Sequence, residues 1–349
     1  MKIAVVAAPF YPVPPVKYGG TERVVYYLIK GLKELGHEPI LLGPGDSKVD
    51  CQIIPIVDKA INFPLGDDSV VKAFRAQARK AELKTSRLLK QLAPSVDIIH
   101  SHGFDMKSFK KYPNITTLHT RLTFDDINYY KKRTDLSFIA ISKNQRDAMP
   151  YLSDVDVVYN GEDPSEFEFV NKPDNYLCFL GRFDRDKNPH LAIELAINLG
   201  MKIKVAGKVD FEGGEYFESE IKKYINHPQV EYLGEIGFEQ KVKLLSRAKC
   251  NLHPISFREP FGLTVIEAAY CGTPTLAIRR GSMKELIQQD KTGLVVEDFI
   301  EGRNRIEECF KMNRRNIARI TDRKFNYLNM AIGYVKAYRR IIKQKTLRG

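Results

Sequence analysis

Arg182 and Lys187 stand five residues apart in the segment GRFDRDKN, Gly181–Asn188, directly after the apolar run Tyr176–Leu180. Two cations at the carboxyl end of a strand, ahead of a helix, suit an anionic ligand. A diphosphate needs its charge neutralised; arginine grips it with two parallel N–H groups, and lysine acts as a point charge. A solvated strand-to-helix loop is the plain alternative. A second segment runs from Ser256 to Pro274 and carries Glu259 and Glu267 eight residues apart. Asn251–Ile255 before it reads as a strand, and Pro260 and Gly262 read as the opening of a helix that ends near Gly272. A helix start offers unpaired N–H groups and a positive dipole end to phosphate. At a rise of ~1.5 Å per residue the two carboxylates lie at most ~12 Å apart and on nearly the same side. They could accept hydrogen bonds from two polyols, such as a sugar and a ribose joined by a diphosphate. They could equally be a general acid/base pair or a surface pair. A third segment, Tyr18-Gly19-Gly20-Thr21-Glu22, follows the first apolar run. Its glycines would let a backbone approach a ligand closely, although a tight turn would read the same way.

Several other chemistries lose their support. Gly43-Pro44-Gly45 lacks the third glycine of a dinucleotide fingerprint, and Gly207-Lys208 is followed by Val209 rather than the Ser/Thr of a phosphate loop. Neither H-E-x-x-H nor G-x-S-x-G occurs. Asp154-Val155-Asp156 and Asp184-Arg185-Asp186 have the spacing of a metal-diphosphate clamp, but cations interleave the second, and no metal is expected at either. His100 and His102 share one face of a strand and read as hydrogen-bonded histidines near its end. The five cysteines are scattered, without a C-x-x-C pair, so neither a disulfide framework nor structural zinc is expected.

The elements that must position these residues alternate in βαβ rhythm. Ile3–Ala8, Pro39–Leu42, Gln52–Ile56, Asp97–His102, Ile115–His119, Phe138–Ser142 and Val155–Tyr159 read as strands. Thr21–Leu35 and Val70–Leu92 read as helices. The rhythm restarts after the polar stretch Asn160–Pro173 with Tyr176–Leu180, Lys202–Ala206, Val230–Leu233, Asn251–Ile255, Thr275–Ile278 and Leu294–Val296. The fold class is therefore α/β, with two Rossmann-like domains of similar size facing each other across a cleft. Residues 1–165 make the first, and 166–329 the second. A last helix, about Tyr327–Lys345, carries Leu328, Ile332, Val335, Tyr338, Ile341 and Ile342 on one face; its 330–349 portion is assigned to the first domain.

The chain has 349 residues and a net charge of +12. Twelve Lys/Arg against Asp322 fall between Lys311 and Gly349, and seven against Glu82 between Lys72 and Lys90. Such blocks read as solvated helix faces, or as attraction to anionic lipid or a phosphorylated substrate. No nucleic-acid signature accompanies them. No run is long and apolar enough to span a membrane, and the N-terminal apolar run reads as a core strand rather than a signal peptide. A soluble, reduced, cytoplasmic protein is expected.

The sequence resembles glycosyltransferase family 4, the retaining nucleotide-sugar enzymes of the GT-B fold, nearly end to end. The resemblance is carried by Gly19–Glu22, Asp97–His102, Leu118-His119, Val158–Gly161, GRFDRDKN, Ala206-Gly207, Leu233–Glu235 and the Glu259…Glu267 element with its following CGTP. It implies that Arg182 and Lys187 neutralise the donor diphosphate. Glu267 would bind the ribose hydroxyls, Glu259 would contact the transferred sugar, and His119 would touch that sugar near the reacting carbon. Phe261, Gly262, Leu263 and Thr264 would offer their backbone to sugar and phosphates; Gly19, Gly20 and Gly207 would approach the donor; Glu235 and Ile236 would line the base. The last helix would cross back to the first domain. Arg279–Glu285 departs from the family's Gly-Gly-x-Pro-Glu turn, with Lys284 at the proline, and the acceptor-side segments Phe10–Lys17 and Asn62–Val71 carry no readable motif.

The implied activity is transfer of a hexose from a UDP-sugar or GDP-mannose to an unidentified acceptor: a sugar, a lipid-linked glycan or a small molecule. No cofactor or metal is expected, and an anionic membrane surface on the inner face is a candidate partner. A nucleotide-sugar epimerase or hydrolase on the same fold, or a basic lipid- or nucleic-acid-binding protein, are the alternatives.

Overall fold

The computed structural model describes residues 1–62, 68–133, 135–152, 155–209 and 213–347. Asp154, residues 63–67 of the segment 62–71 and the last two residues of the basic tail lie outside the described residues. The chain forms two compact units, Met1–Glu162 together with Tyr327–Gly349, and Asp163–Asn326.

The first unit is built on a seven-stranded parallel sheet: β1 (Lys2–Val6), β2 (Glu38–Pro44), β3 (Gln52–Val57), β4 (Ile98–Ser101), β5 (Asn114–Leu118), β6 (Phe138–Ala140) and β7 (Asp156–Val157), in the order β3-β2-β1-β4-β5-β6-β7. Ile3, Val5, Ile98 and Ile99 are fully buried, as befits central strands covered on both faces. The helix Gly20–Glu34 returns from β1 to β2 and ends just before Gly36, whose φ of +75° a side chain would resist. The long basic helix Asp68–Leu92 buries Ala81, Thr85 and Leu89 and leaves Lys72, Arg75, Arg79, Lys80, Arg87 and Lys90 exposed. Leu83 is exposed beside them.

The last helix, Tyr327–Thr346, packs on the helix Gly20–Glu34 in this unit. At Gly31 a Cβ would come within 2.7 Å of the Ala331 Cβ, so the two helices touch almost backbone to backbone. The buried face differs from the one the apolar pattern suggests. Ile332 is exposed, and the buried face holds Met330, Ala331, Tyr334, Val335, Ala337, Tyr338 and Ile341. The tyrosines turn inward because their hydroxyls meet polar partners on the sheet.

The second unit repeats the plan: β8 (Tyr176–Leu180), β9 (Lys202–Ala206), β10 (Val230–Gly234), β11 (Cys250–His253), β12 (Thr275–Ile278) and β13 (Gly293–Val296), all parallel, in the order β10-β9-β8-β11-β12-β13. Leu177, Phe179, Ile203, Leu252, Leu276 and Val296 centre its core. Part of the C-terminal positive charge is structural. Arg314 is buried and donates to the carbonyls of Val170 (2.7 Å), Ser246 (2.6 Å) and Ala248 (3.0 Å) and to Thr273 Oγ1 (2.8 Å). In each sheet the strand order reverses between two neighbours, β1/β4 and β8/β11. Ligands of open α/β sheets bind outside the carboxyl ends at such reversals. No described helix is long and apolar enough to cross a membrane, and all five cysteines are free.

Candidate active site

In the second unit the loops after β8 and β11 meet at the reversal. Ser256 N–H donates to the Asp186 carbonyl (3.0 Å), Ser256 Oγ–H to the Arg185 carbonyl (3.0 Å), and Asn188 Nδ2 to the Pro254 carbonyl (3.1 Å). Asn188 takes a left-handed conformation, φ +48°, which asparagine tolerates better than most residues. This stitching brings Lys187 onto Glu259: Lys187 Nζ donates to Glu259 Oε2 in a largely buried ion pair, with the ammonium 5.0 Å above the Phe257 ring. His253, on β11, places Nε2 3.7 Å from the same oxygen, beyond hydrogen-bond length. Burial pushes the Glu259 carboxyl up, but Lys187 and His253 outweigh it, and the net result is a depression to about 2. Burial also lowers His253, more than Glu259 raises it.

Arg182 and Lys187 are thus not two bare cations on a loop. Arg182 pairs with Asp184 Oδ2 (3.0 Å), and Asp184 Oδ1 accepts from the Lys187 N–H (2.9 Å). Burial raises the Asp184 carboxyl, against the pull of Arg182. The cluster is close to neutral as it stands. One of three ammonium donors of Lys187 is committed to Glu259, so an added anion would share these cations with carboxylates that already orient them.

Glu259 does not reach its place through a helix. The helix is Leu263–Tyr270, capped by Gly262 at φ +103°. Pro260 lies before it, and the helical rotation that would return Glu259 and Glu267 to one side does not apply. Glu259 is held instead by the turn Arg280–Ser282: Ser282 N–H donates to the Glu259 carbonyl (3.0 Å), and Ser282 Oγ–H to that of Phe261. At Gly281 a Cβ would lie 2.3 Å from the Glu259 N and 2.2 Å from its carbonyl oxygen. No side chain caps the helix at Gly262, and Leu263 and Thr264 are half-exposed, so the helix start is open to a ligand. Glu267 pairs with Lys241, from the helix Phe238–Arg247, whose ammonium sits 4.8 Å over the Phe238 ring. Gly207 follows β9 so closely against β8 that a Cβ would fall 1.6 Å from the Gly181 carbonyl oxygen. Glu235 is exposed and Ile236 half-buried just beyond β10.

In the first unit Gly19, at φ +147°, caps the helix Gly20–Glu34. A Cβ there would meet Pro15 at 2.6 Å. Glu22, in the first turn, is 6% exposed, and burial raises its carboxyl to about 7. At the carboxyl ends of β4 and β5 lie three histidines. His100 is fully buried, with Nδ1 2.6 Å from the Tyr338 hydroxyl and Nε2 2.7 Å from Thr117 Oγ1. The His102 ring lies 4.0 Å from that of His100, and its Nδ1 is 2.8 Å from His119 Nε2. Burial holds His100 and His102 well below the usual histidine range and lowers His119 to about 4, so all three are neutral near pH 7.

Sequence reasoning passed over His253, Lys241 and Ser282. His253 ends a strand at the sheet reversal, the rule that singled out Arg182 and Lys187. Lys241 lies one helical turn beyond the segment expected to line a base. Nothing in the sequence marks Ser282 as a clamp. Asp156 pairs with Arg340 (2.7 Å). Among the described residues no group of three or more His, Cys, Asp or Glu is arranged to hold a metal ion.

Cations beside an open helix start at a sheet reversal, in a chain of two parallel-sheet α/β units, fit the architecture of the GT-B glycosyltransferases. The family described as Glycosyl transferases group 1 matches residues 162–315, and Glycosyltransferase Family 4 matches residues 18–166. The chain is 23% identical over 334 residues to a glycogen synthase of Mycobacterium tuberculosis, covering 80% of this chain and 79% of that protein. Among solved structures it is similar to AviGT4, a glycosyltransferase involved in avilamycin A biosynthesis (23% identity, TM-score 0.76, 98% of each chain). It is also similar to Anabaena HepE in complex with UDP-glucose (16% identity, TM-score 0.71, 97% of this chain and 99% of that one). The chain belongs to the GT-B glycosyltransferases of family 4 type.

Proposed function

We propose that this glycosyltransferase moves a hexose from a nucleoside diphosphate sugar, UDP- or GDP-linked, with retention of configuration and without a metal ion. The observation that carries the reading is the convergence of Arg182, Lys187 and the uncapped start of Leu263–Tyr270 at the β8/β11 reversal. In the reaction the bond between the sugar's anomeric carbon and the diphosphate oxygen breaks, and negative charge grows on that oxygen. Preorganised cations and N–H dipoles lower the barrier most when they meet charge that develops in the transition state. Arg182 and Lys187 supply the cations, and the Leu263 and Thr264 end of the helix supplies the dipoles. Glu259 holds Lys187 in place and accepts a hydroxyl of the sugar; Glu267, backed by Lys241, accepts the ribose hydroxyls. His119 contacts the sugar, and the acceptor hydroxyl attacks from the face the diphosphate leaves, passing its proton to the departing phosphate oxygen. HepE with its UDP-glucose supports a sugar nucleotide as donor.

The enzyme is placed in the cytoplasm, and the exposed basic face of Asp68–Leu92, with Leu83, is read as a contact for an anionic membrane surface. Flotation with anionic vesicles at low salt checks this; protein left wholly unbound removes it. The activity itself is tested by incubating the protein with UDP-glucose, a UDP-N-acetylhexosamine or GDP-mannose, with and without EDTA. Acceptor-dependent release of nucleoside diphosphate, undiminished by EDTA, is expected. Free epimerised sugar from donor alone would replace this reading with epimerisation.

A further inference from the structure

The three histidines of the first unit form a chain with a definite direction. His100 anchors it: both ring nitrogens are within hydrogen-bond distance of hydroxyls, Tyr338 on one side and Thr117 on the other, and Thr117 Oγ1 is 3.0 Å from the Tyr334 hydroxyl. A hydroxyl donates or accepts as required, so His100 is satisfied in either tautomer. His102 lies against His100, 3% exposed, and its ring is near parallel to that of His119, at 25° with centroids 5.1 Å apart. Its Nδ1 meets His119 Nε2 at 2.8 Å. Its other nitrogen, Nε2, is buried and has no hydrogen-bond partner among the described residues.

Between two neutral imidazoles one nitrogen must donate and the other accept. If His119 Nε2–H donated, His102 would carry its own proton on Nε2, a buried N–H facing no acceptor. If His102 Nδ1–H donates, His102 Nε2 is only an unmatched lone pair, and His119 carries its proton on Nδ1. Orphaned buried N–H groups are rarer in folded proteins than unmatched acceptors. We propose that His102 is a positioning residue that fixes the tautomer of His119, so that His119 carries an N–H donor, not a lone pair, at Nδ1, the ring nitrogen that does not meet His102. His119 then cannot act as a general base from Nδ1. It donates a hydrogen bond to an oxygen, such as a hydroxyl of the transferred sugar. That catalytic consequence rests on the glycosyl-transfer reading above; the tautomer does not.

The test is a long-range 1H–15N correlation spectrum of the full chain labelled with 15N-histidine at pH 7.5, with His119 assigned by its loss in His119→Gln. Protonated and bare ring nitrogens separate widely in nitrogen shift. The expected result is a protonated Nδ1 and a bare Nε2 on His119. A protonated Nε2 would overturn the proposal, whatever the turnover of the enzyme. His102→Asn places an amide N–H near the position of Nδ1 and should keep the His119 pattern and turnover near wild type. His102→Leu, checked for an unchanged melting point, should give His119 a mixture of tautomers and lower kcat by about tenfold, with donor KM changed less. An unaltered His119 spectrum in His102→Leu also overturns the proposal. Loss of turnover in wild type with the expected spectrum would strike only the activity reading.

Discussion

Two buried carboxylates, Glu259 and Glu22, respond to pH in opposite directions, and each yields a measurement. Glu259 has a folded pKa of about 2, below its ordinary 4.5, because Lys187 and His253 outweigh the burial that pushes it up. The fold therefore binds its proton less tightly than the unfolded chain does. Its contribution, on the order of 3 kcal/mol, is full above about pH 4.5 and is lost as the pH falls through about 2. Glu22 is raised by burial to about 7. The stability linked to it is full below about pH 4.5 and is lost as the pH rises through about 7. Urea unfolding from pH 4 to 8 should show Glu22→Gln removing a decline in stability that the wild-type chain suffers over that window. Lys187→Met should abolish turnover, and it should also cost about 3 kcal/mol at pH 7, because it strands Glu259 in the interior without its main counter-charge. An unchanged urea midpoint in that variant would contradict the pairing. The sequence pointed to Arg182, Lys187, Glu259 and Glu267 by residue type and spacing. It could not show that Lys187 is shared with Glu259 and Lys241 with Glu267, since those partners lie 72 and 26 residues apart and meet only through the sheet.

At the scale of elements, parallel strands were legible because a strand covered on both faces is a run of apolar residues, as in Tyr176–Leu180 and Thr275–Ile278. Strand limits were less legible, because pairing and not hydropathy sets them: the stretch Val155–Tyr159 shrinks to Asp156–Val157, the two residues that pair with Ile139 and Ala140. The helix before Gly272 starts at Leu263, not at Pro260, because Gly262 takes a left-handed conformation and the turn Arg280–Ser282 claims the backbone of Glu259. Such a clamp joins segments twenty residues apart and leaves no periodic trace. The buried face of the last helix departs from its apolar pattern for a related reason. A hydropathy pattern ranks Ile332 above Tyr334, but only the tyrosine finds a hydroxyl partner, Thr117, on the sheet. That helix therefore also orders the histidine chain. Tyr338→Phe leaves His100 Nδ1 buried without its 2.6 Å partner. A loss of about 1–3 kcal/mol in unfolding free energy is expected, measured by urea titration, since the orphaned group loses its full solvation. Gly281→Ala should abolish turnover, because its Cβ would overlap the Glu259 backbone; activity near wild type would mean that the clamp does not position Glu259.

For the molecule as a whole, the division of the chain has a functional consequence. Arg182, Lys187, Lys241, Glu259, Gly262 and Glu267 all belong to the unit Asp163–Asn326, whereas His119, Gly20 and the last helix belong to the other. The second unit has its own six-stranded sheet and its own core, and Arg314 ties its peripheral segments Val170, Ser246 and Ala248 together without help from the first. Its 164 residues, from Asp163 to Asn326, are long enough to bury most of the surface that folding must cover. Residues 163–326 expressed alone should therefore unfold in one cooperative transition. If the nucleoside diphosphate is held by this unit, UDP or GDP should raise the melting point of the isolated piece, because a ligand that binds only the folded state stabilises it by mass action. A concentration near a hundred times Kd corresponds to about 2.7 kcal/mol. Lys187→Met and Glu267→Gln should each weaken that shift in the isolated unit as they do in the full chain. If His119 contacts the sugar as proposed, the isolated unit should show no transfer, since it lacks that residue. A folded piece that ignores every nucleoside diphosphate that shifts the full chain would move the diphosphate away from Arg182 and Lys187.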